Sequence, residues 1–479
     1  AYVPSMLFPE LNKLTNPNYA HRYYVNASPT VGDAYGTFTN VSGVCATGCW
    51  RTVLAGGLGG GGKGIYALDI TDPNGSVTTS GISTALLAFN EDNAAKIALW
   101  EYTDSASGDM GYVYGQPTIA KVRNGANSYS WAVIFGNGYN STNENAVLYV
   151  VNAVTGALIK KIVLNPDYDT TWNPTGDTPF INSNGLSMPA VVDTNSDYIA
   201  DYVYAGDLRG NMWKIDLTST STGSWDSAYK SGNDPRPLFR AVDGTTTTTI
   251  QQPITVQPEV GVHPDGQSGY MVYFGTGRYI ATGDNDAAAT SPVQTFYGIW
   301  DKPYGSADGT ATGGPVTRSD LGAQTISSAT VGSTTVRQVT NYPIAWRTGA
   351  SGSCALVTIS GTETWSSCLG WRDNLLTATT GSLGEKAVSN PVLVGGTVPR
   401  IIFTTLIPQT DACTAGGTGW LMELNPKNGG QLPEQVFDID GNGTIDENDM
   451  IGGTVPVAGI NPGIGIMPEP TIIRDSANK

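Results

Sequence analysis

One proline-led phrase recurs along the chain and narrows what it can build. It reads "SPTVGD" at Pro29, "QPTIAK" at Pro117, "MPAVVD" at Pro189, "QPEVGV" at Pro258, "NPVLVG" at Pro391 and "EPTIIR" at Pro470. The copies lie about 88, 72, 69, 133 and 79 residues apart, and the long interval leaves room for a degenerate copy near residue 325. Six or seven units result. Between the phrases come paired runs, an apolar one ending in Gly and then an aromatic-led strand ending in Asp or Asn. The pairs are "TVLAGG" with "GIYALDI", "WAVIFGNG" with "LYVVNAVTG", "DYVYAGD" with "MWKIDL", "YMVYFGTG" with "FYGIW", and "RIIFTTL" with "GWLMELNPKNG".

These runs read as meandering strands. A unit of three or four short strands cannot bury its own apolar faces, so the copies must pack face to face around an axis. The expected fold class is therefore all-β, a modified β-propeller. Glycine at the end of a second strand allows a close backbone approach, and the Asp or Asn ending the third is a turn former. The phrase at Pro470 is positioned to add a closing strand to the N-terminal blade. Residues 1–20 form a lead-in segment and residues 21–479 a single propeller domain. Stretches near residues 78–104 and 303–350 exceed what a compact blade needs, so long loops decorate the scaffold, where binding commonly resides.

Composition supports the class and excludes others. Sixty glycines and 28 prolines punctuate the chain, and no long apolar stripe of 3.6 period appears. With a formal net charge of −16, a polyanion such as nucleic acid would be repelled at long range. No run approaches the roughly 18 consecutive apolar residues of a membrane span, so the chain is not expected to cross one with a helix. The cysteines Cys45, Cys49, Cys354, Cys368 and Cys413 form two spaced pairs and a singleton, without a C-x-x-C motif. Pairs 45/49 and 354/368 suit disulfides of an exported protein, with buried free thiols as the other reading; Cys413 either pairs elsewhere or stays free.

Two oxygen-rich loops carry the chemistry. In "DIDGNGTIDEND", side-chain oxygens fall at positions 1, 3, 5, 9 and 12 of an EF-hand calcium loop: Asp438, Asp440, Asn442, Asp446 and Asp449. Thr444 would offer its carbonyl at position 7, and Gly443 takes the sharp turn at position 6. Aspartate at position 12 departs from the usual bidentate Glu, whose reach is longer. The second loop, "DTNSDYIAD", places Asp193, Asn195 and Asp197 at positions 1, 3 and 5, the Ile199 carbonyl at 7 and Asp201 at 9, then runs directly into the strand "YVYAG". Flexible oxygen donors in this number suit calcium better than magnesium. An Asx-rich turn is the plainer alternative for the second loop. In both, the calcium loop serves as a turn between strands, because coordination needs the loop and not flanking helices.

Other motifs carry less. "GGLGGGGKG" meets the G-x-x-x-x-G-K spacing of a phosphate loop, but Gly64 follows Lys63 and a strand follows in place of a helix. His21 and His263 are the only histidines and lack partner motifs, so zinc or a histidine triad has little to build on. A carboxylate pair drawn from different blades would make a glycosidase, which spacing alone does not test. The tryptophans in "WKIDL", "YGIW" and "GWLMEL" read as core packing.

The phrases "HRYYVNASPTVGDAY", "TVLAGGLGGGGKGIYALDIT", "VVDTNSDYIADYVYAGDLRGNMWKIDL" and "IIFTTLIPQTDACTAGGTGWLMELNPKNGG" together resemble the C-terminal β-propeller of the PilC/PilY type IV pilus biogenesis and tip-adhesin proteins. The likeness runs from about residue 20 to the end. It implies a modified seven-bladed propeller on the pilus tip or outer cell surface, exported through the periplasm, and not an enzyme. It also implies a role in the balance of pilus extension and retraction, in twitching motility and in adhesion. Minor pilins at the tip and host-cell or abiotic surfaces would be the partners. The family's calcium loop falls on Asp193, Asn195, Asp197, Ile199 and Asp201. No Arg-Gly-Asp motif occurs, since "LRGN" stops at Asn211, so integrin-type adhesion through this region is not expected. Two other functions compete: a quinone-dependent (PQQ-type) propeller dehydrogenase, which "YVVNAVTGALI" and "WKIDL" resemble but which would need an adjacent Cys-Cys pair, and a lectin-like propeller.

Overall fold

A computed structural model describes residues 2–472 apart from 40–44, 46, 75–77, 80–81, 84–87, 105, 165–183, 244–249, 282, 286–292, 304–315, 350–351, 376–383 and 410–416. The chain is mostly β, built from many small antiparallel sheets of the kind a β-propeller uses. The recurrent proline sets where strands begin. Strands start one residue after Pro29, Pro117, Pro189, Pro258 and Pro391, at Thr30, Thr118, Ala190, Glu259 and Val392. Proline has no N–H to give a ladder and biases the residue before it toward extended backbone, so it fits the threshold of a strand and not its middle. Pro470 differs: residues 461–472 carry no strand, and the rest of that phrase lies outside the described residues.

All five paired runs form neighbouring strands. The chain divides into two compact units: Ala1–Leu208 with Trp213–Arg236, and Arg209–Met212 with Pro237–Lys479. The first unit holds a sheet in the order Thr30–Gly36, Cys49–Gly57, Ile65–Asp69, Ala98–Tyr102, and another in the order Leu158–Val163, Val147–Asn152, Ser128–Gly136, Thr118–Gly125. Gly57 and Gly136 end second strands where a Cβ would stand 2.5 Å from the Val113 carbonyl oxygen and 2.2 Å from that of Ser187. Any side chain there would push neighbouring backbone aside. The Asp or Asn ending each third strand turns the chain: Asp69 accepts from the Thr71 amide, Asn152 from those of Val154 and Thr155, and Asp216 from that of Thr218.

Alternation along the strands fills two cores in this unit. One gathers Val53, Ala55, Phe135 and Tyr149, and the other Ile134, Val150, Val203, Trp213 and Trp225. Each large, fully buried side chain of this kind contributes about 1.5–3 kcal/mol. The opening residues belong here too. They form short helical turns from Ser5 to Thr15, bury Leu7, and dock through Tyr2 and Ser5, whose hydroxyls donate to the Glu101 carboxylate.

In the second unit the repeat is interrupted. Tyr270–Gly275 pairs with Thr295–Asp301 as expected, but the next neighbour is Gly370–Asn374, followed by a parallel strand, Gly322–Gln324. The degenerate copy expected near residue 325 does not build a separate sheet. Its hairpin, Ile326–Val331 with Thr334–Val339, joins Gly459–Ile460, Leu421–Leu424, Arg400–Thr404 and Val392–Val394. Burial explains the choice, because Val331 and Val336 find apolar partners in Phe437 and Val457.

A small sheet of Ile344–Trp346, Thr362–Cys368 and Ala355–Ile359 stands apart in character. Its edge strand, "ALVTI", is uncharged and exposed throughout, with Ile359 46% exposed. The disulfide Cys354–Cys368 ties the start of that strand to the end of its neighbour, and Cys45–Cys49 closes the turn before Cys49–Gly57. Both cysteine pairs are thus oxidised, while Cys413 lies outside the described residues. Among the described residues no helix is long and apolar enough to cross a membrane.

Candidate metal centre

The two oxygen-rich loops share one backbone plan. At position 1, Asp193 accepts from the amides of Ser196 and Tyr198, and Asp438 from those of Gly441 and Gly443. The position 3 side chain accepts from the position 5 amide, as Asn195 from Asp197 and Asp440 from Asn442. Position 5 repeats the pattern with position 7, Asp197 from Ile199 and Asn442 from Thr444. Positions 4 and 6 have left-handed backbone in both: φ is 63° and 64° at Ser196 and Tyr198, 72° and 83° at Gly441 and Gly443. Alternate side chains therefore turn to the same interior while the chain coils around it.

The closing carboxylate differs. In residues 438–449, Asp449 accepts from the amides of Ile439 at 2.6 Å, Asp440 at 3.1 Å and Asp446 at 2.9 Å, and is buried. In residues 193–201, Asp201 plays that part from position 9, accepting from the Thr194 amide at 2.9 Å and from its hydroxyl. Asp446, the position 9 residue of the longer loop, instead caps the 3-10 turn Glu447–Asp449 by accepting from the Asn448 amide.

Convergence separates the loops further. Asp438, Asp440 and Asp449 each bring a carboxylate oxygen within 4.8 Å of the others, the one such group of three among the described residues. Asn442 lies beside them, donating its amide to Asp440 at 2.9 Å. Asp193, Asp197 and Asp201 do not gather into a comparable group. The Arg123 guanidinium, on the strand Thr118–Gly125, meets one Asp197 carboxylate oxygen at 3.2 Å, while the other accepts from the Ile199 amide. That arginine is 74 residues from its partner, and no local pattern announces it.

Electrostatics favour ionised carboxylates. The amides of Asp446, Asp440 and Ile439 hold Asp449 below its ordinary value of 3.8 against the pull of desolvation. For Asp193 desolvation acts the other way, but the amides of Tyr198, Asn195 and Ser196 outweigh it and hold this carboxyl low as well. An anionic pocket of oxygens suits a hard cation.

The weaker motifs resolve plainly. Lys63 donates to the Asn140 carbonyl and lies over the Tyr112 ring, and the strand Ile65–Asp69 follows it. His263 is buried between Trp300 and Trp346, with ring centroids at 4.8 and 4.4 Å. A close acidic pair, Asp104 and Asp109, is bridged by Lys161 at 3.0 and 2.9 Å, and both are held low, so neither is a raised general acid.

Comparison with known proteins adds to this geometry. The family described as the PilY1 beta-propeller domain matches residues 2–336. The chain is 38% identical over 442 residues to a type IV pilus biogenesis factor PilY1 homolog of Xylella fastidiosa, covering 91% of this chain and 25% of that protein. It is 35% identical over 493 residues to the type IV pilus biogenesis factor PilY1 of Pseudomonas aeruginosa, covering 97% of this chain and 37% of that protein. Those proteins are much longer, and the chain spans well under half of either. The crystal structure of the Pseudomonas aeruginosa PilY1 C-terminal domain is similar, with a TM-score of 0.67 and 30% identity over 96% of this chain and 82% of that one.

Proposed function

This chain belongs to the PilY1 β-propeller family, and from that premise we propose that it acts in type IV pilus biogenesis as a calcium-binding domain that tunes pilus extension and retraction. The similarity to the PilY1 C-terminal domain over most of both chains carries the pilus part of this reading. Twitching motility and adhesion belong to the same proposal, with minor pilins at the tip and a host-cell or abiotic surface as partners. The seven-blade count does too. The two disulfides are consistent with a place outside the cytoplasm, and the proposed location is the pilus tip or outer cell surface.

The calcium part is supported by fit. Three converging carboxylates with no His or Cys among them form an oxygen donor set of the kind calcium takes and zinc sites seldom use. Asp438, Asp440, Asn442 and Asp449 would hold the ion, joined by the Thr444 carbonyl, with Asp446 reaching it through water because its carboxylate already caps the adjoining turn. Asp193, Asn195, Asp197, the Ile199 carbonyl and Asp201 would form the second site once Asp197 leaves Arg123. Calcium there would neutralise the clustered charge and stiffen each turn.

Calorimetric calcium titration of the wild type, Asp438→Asn/Asp440→Asn and Asp193→Asn/Asp197→Asn tests the ion. The same substitutions, placed in the full-length protein of a piliated bacterium, test the role. Two binding events, each lost with its own loop, and altered surface piliation or twitching are expected. Absence of calcium binding would refute the metal reading; normal pili and motility in cells making stable variant protein would refute the regulatory one.

A further inference from the structure

Away from the two oxygen-rich loops, the second unit brings together two arginines that make no ion-pair contact with a carboxylate among the described residues. Elsewhere the chain matches such groups with acids, as Arg337 with Glu385, Arg347 with Asp320 and Arg278 with Asp284. Arg318 instead donates through Nη1 to the Val242 carbonyl at 2.9 Å and the Tyr297 hydroxyl at 2.5 Å, and through Nη2 to Asn374 Oδ1 at 2.7 Å. Arg372, on the strand Gly370–Asn374, reaches the same Asn374 oxygen through Nη1 at 3.4 Å. Its Nε is buried and has no hydrogen-bond partner among the described residues.

The surrounding acceptors are already committed. The Tyr297 hydroxyl donates to Gln252 Oε1, and Gln252 donates onward to Thr295 and to the Val293 carbonyl. Asp373 does not pair with Arg372: alternation along the strand turns it to the opposite face, where it is fully buried with no hydrogen-bond partner among the described residues, and desolvation pushes its carboxyl up. Two like charges are thus held side by side. Burial first, and then the Arg318 charge, bring Arg372 down to about 10. Both arginines are partly exposed as whole residues, although the Arg372 Nε is itself covered.

A guanidinium presents Nε and one Nη along a single edge, a fork that matches two oxygens of a carboxylate or phosphate. On Arg372 the edge bearing Nε and Nη2 is used by no protein group among the described residues. We propose that Arg318 and Arg372 form a binding site for a small oxyanion group, which Arg372 grips through that edge once a small shift uncovers Nε, while Arg318 supplies the second positive charge. The anion would relieve the repulsion between the guanidiniums and satisfy the buried Nε. Asn374 fixes the spacing by accepting from both.

The experiment titrates the full chain, in calcium-free buffer, with sodium phosphate and with sodium acetate against sodium chloride at matched ionic strength. Thermal unfolding and isothermal calorimetry are the readouts. A rise in the unfolding midpoint and measurable binding heat with phosphate, acetate or both, beyond chloride, is expected; preference for phosphate identifies a tetrahedral ligand and preference for acetate a planar one. Arg372→Gln should weaken the response about tenfold to a hundredfold, the loss of a charged donor pair. Should that variant not fold, Arg372→Lys keeps the charge without the fork and should weaken binding by about tenfold. No response to either oxyanion beyond chloride, or an undiminished response in the folded variant, overturns the proposal.

Discussion

Residues 193–201 and 438–449 coil the backbone in the same way and close the coil differently. Both use a first aspartate to gather the amides of positions 4 and 6, and both alternate oxygen side chains inward. The longer loop completes itself through the buried Asp449, three residues beyond position 9, on a capped 3-10 turn. The shorter loop closes on Asp201 and enters the strand Tyr202–Gly206 directly. The difference teaches that the alternation of oxygens defines this turn, while the position of the closing carboxylate adapts to the element the loop leads into. It also shows two ways of meeting the same backbone demand: Gly441 and Gly443 adopt left-handed φ freely, whereas Ser196 and Tyr198 do so at about 1–2 kcal/mol each.

The largest expected effect falls on the longer loop. Asp449→Ala leaves the amides of Ile439, Asp440 and Asp446 without their acceptor, and calorimetry should show calcium affinity there reduced about a hundredfold or more, with a lowered unfolding midpoint. Equal damage from Asp446→Ala would break the assignment of closing roles. In the shorter loop, Asp201→Ala strands the Thr194 amide and hydroxyl and should lower stability in urea by about 1–3 kcal/mol.

Next comes the backbone contrast. Gly443→Ala should destabilise by about 1–2 kcal/mol, while Tyr198→Gly should be neutral or stabilise by up to about 1 kcal/mol, since its ring is 87% exposed and its backbone is the strained part. Acid gives a smaller, shared effect. Asp193 and Asp449 have native pKa values below the ordinary 3.8, so their stabilisation is complete above the unfolded value and is lost as pH falls through the lowered native ones. Urea unfolding followed between neutral pH and pH about 3 checks that sign.

The smallest effect belongs to Arg123→Gln. Removing a partly exposed ion pair should change stability by less than about 1 kcal/mol. It should nevertheless strengthen calcium binding at residues 193–201 and leave residues 438–449 untouched. An unchanged calorimetric affinity at the shorter loop would show that Asp197 was never held back.

The features legible in the sequence were local ones. Proline before a strand, glycine at a close approach and aspartate at a turn each act through their immediate backbone, so five strand starts and five strand pairs could be read. The loops were legible for the same reason, since their oxygens alternate within a dozen residues. Pairing of Gly370–Asn374 with Thr295–Asp301, and of Gly459–Ile460 with Thr334–Val339, depends on which distant segment buries its apolar face best, and no periodicity encodes that. Arg123 at Asp197 and Arg318 beside Arg372 were hidden likewise. Asp446 shows a subtler limit: spacing marked it as a ligand, but local hydrogen bonding gave it a capping role that spacing does not express.

The tie between Cys354 and Cys368 bears on how an exposed sheet edge is kept in place. It anchors an uncharged outer strand carrying Leu356, Val357 and Ile359, a row of open amides and carbonyls without the lysines or prolines that usually discourage self-association. In a reducing cytosol that anchor would be lost, and the freed ribbon would be ready to stack on its own kind. Keeping that bond oxidised is therefore part of what holds this exposed strand to its own sheet.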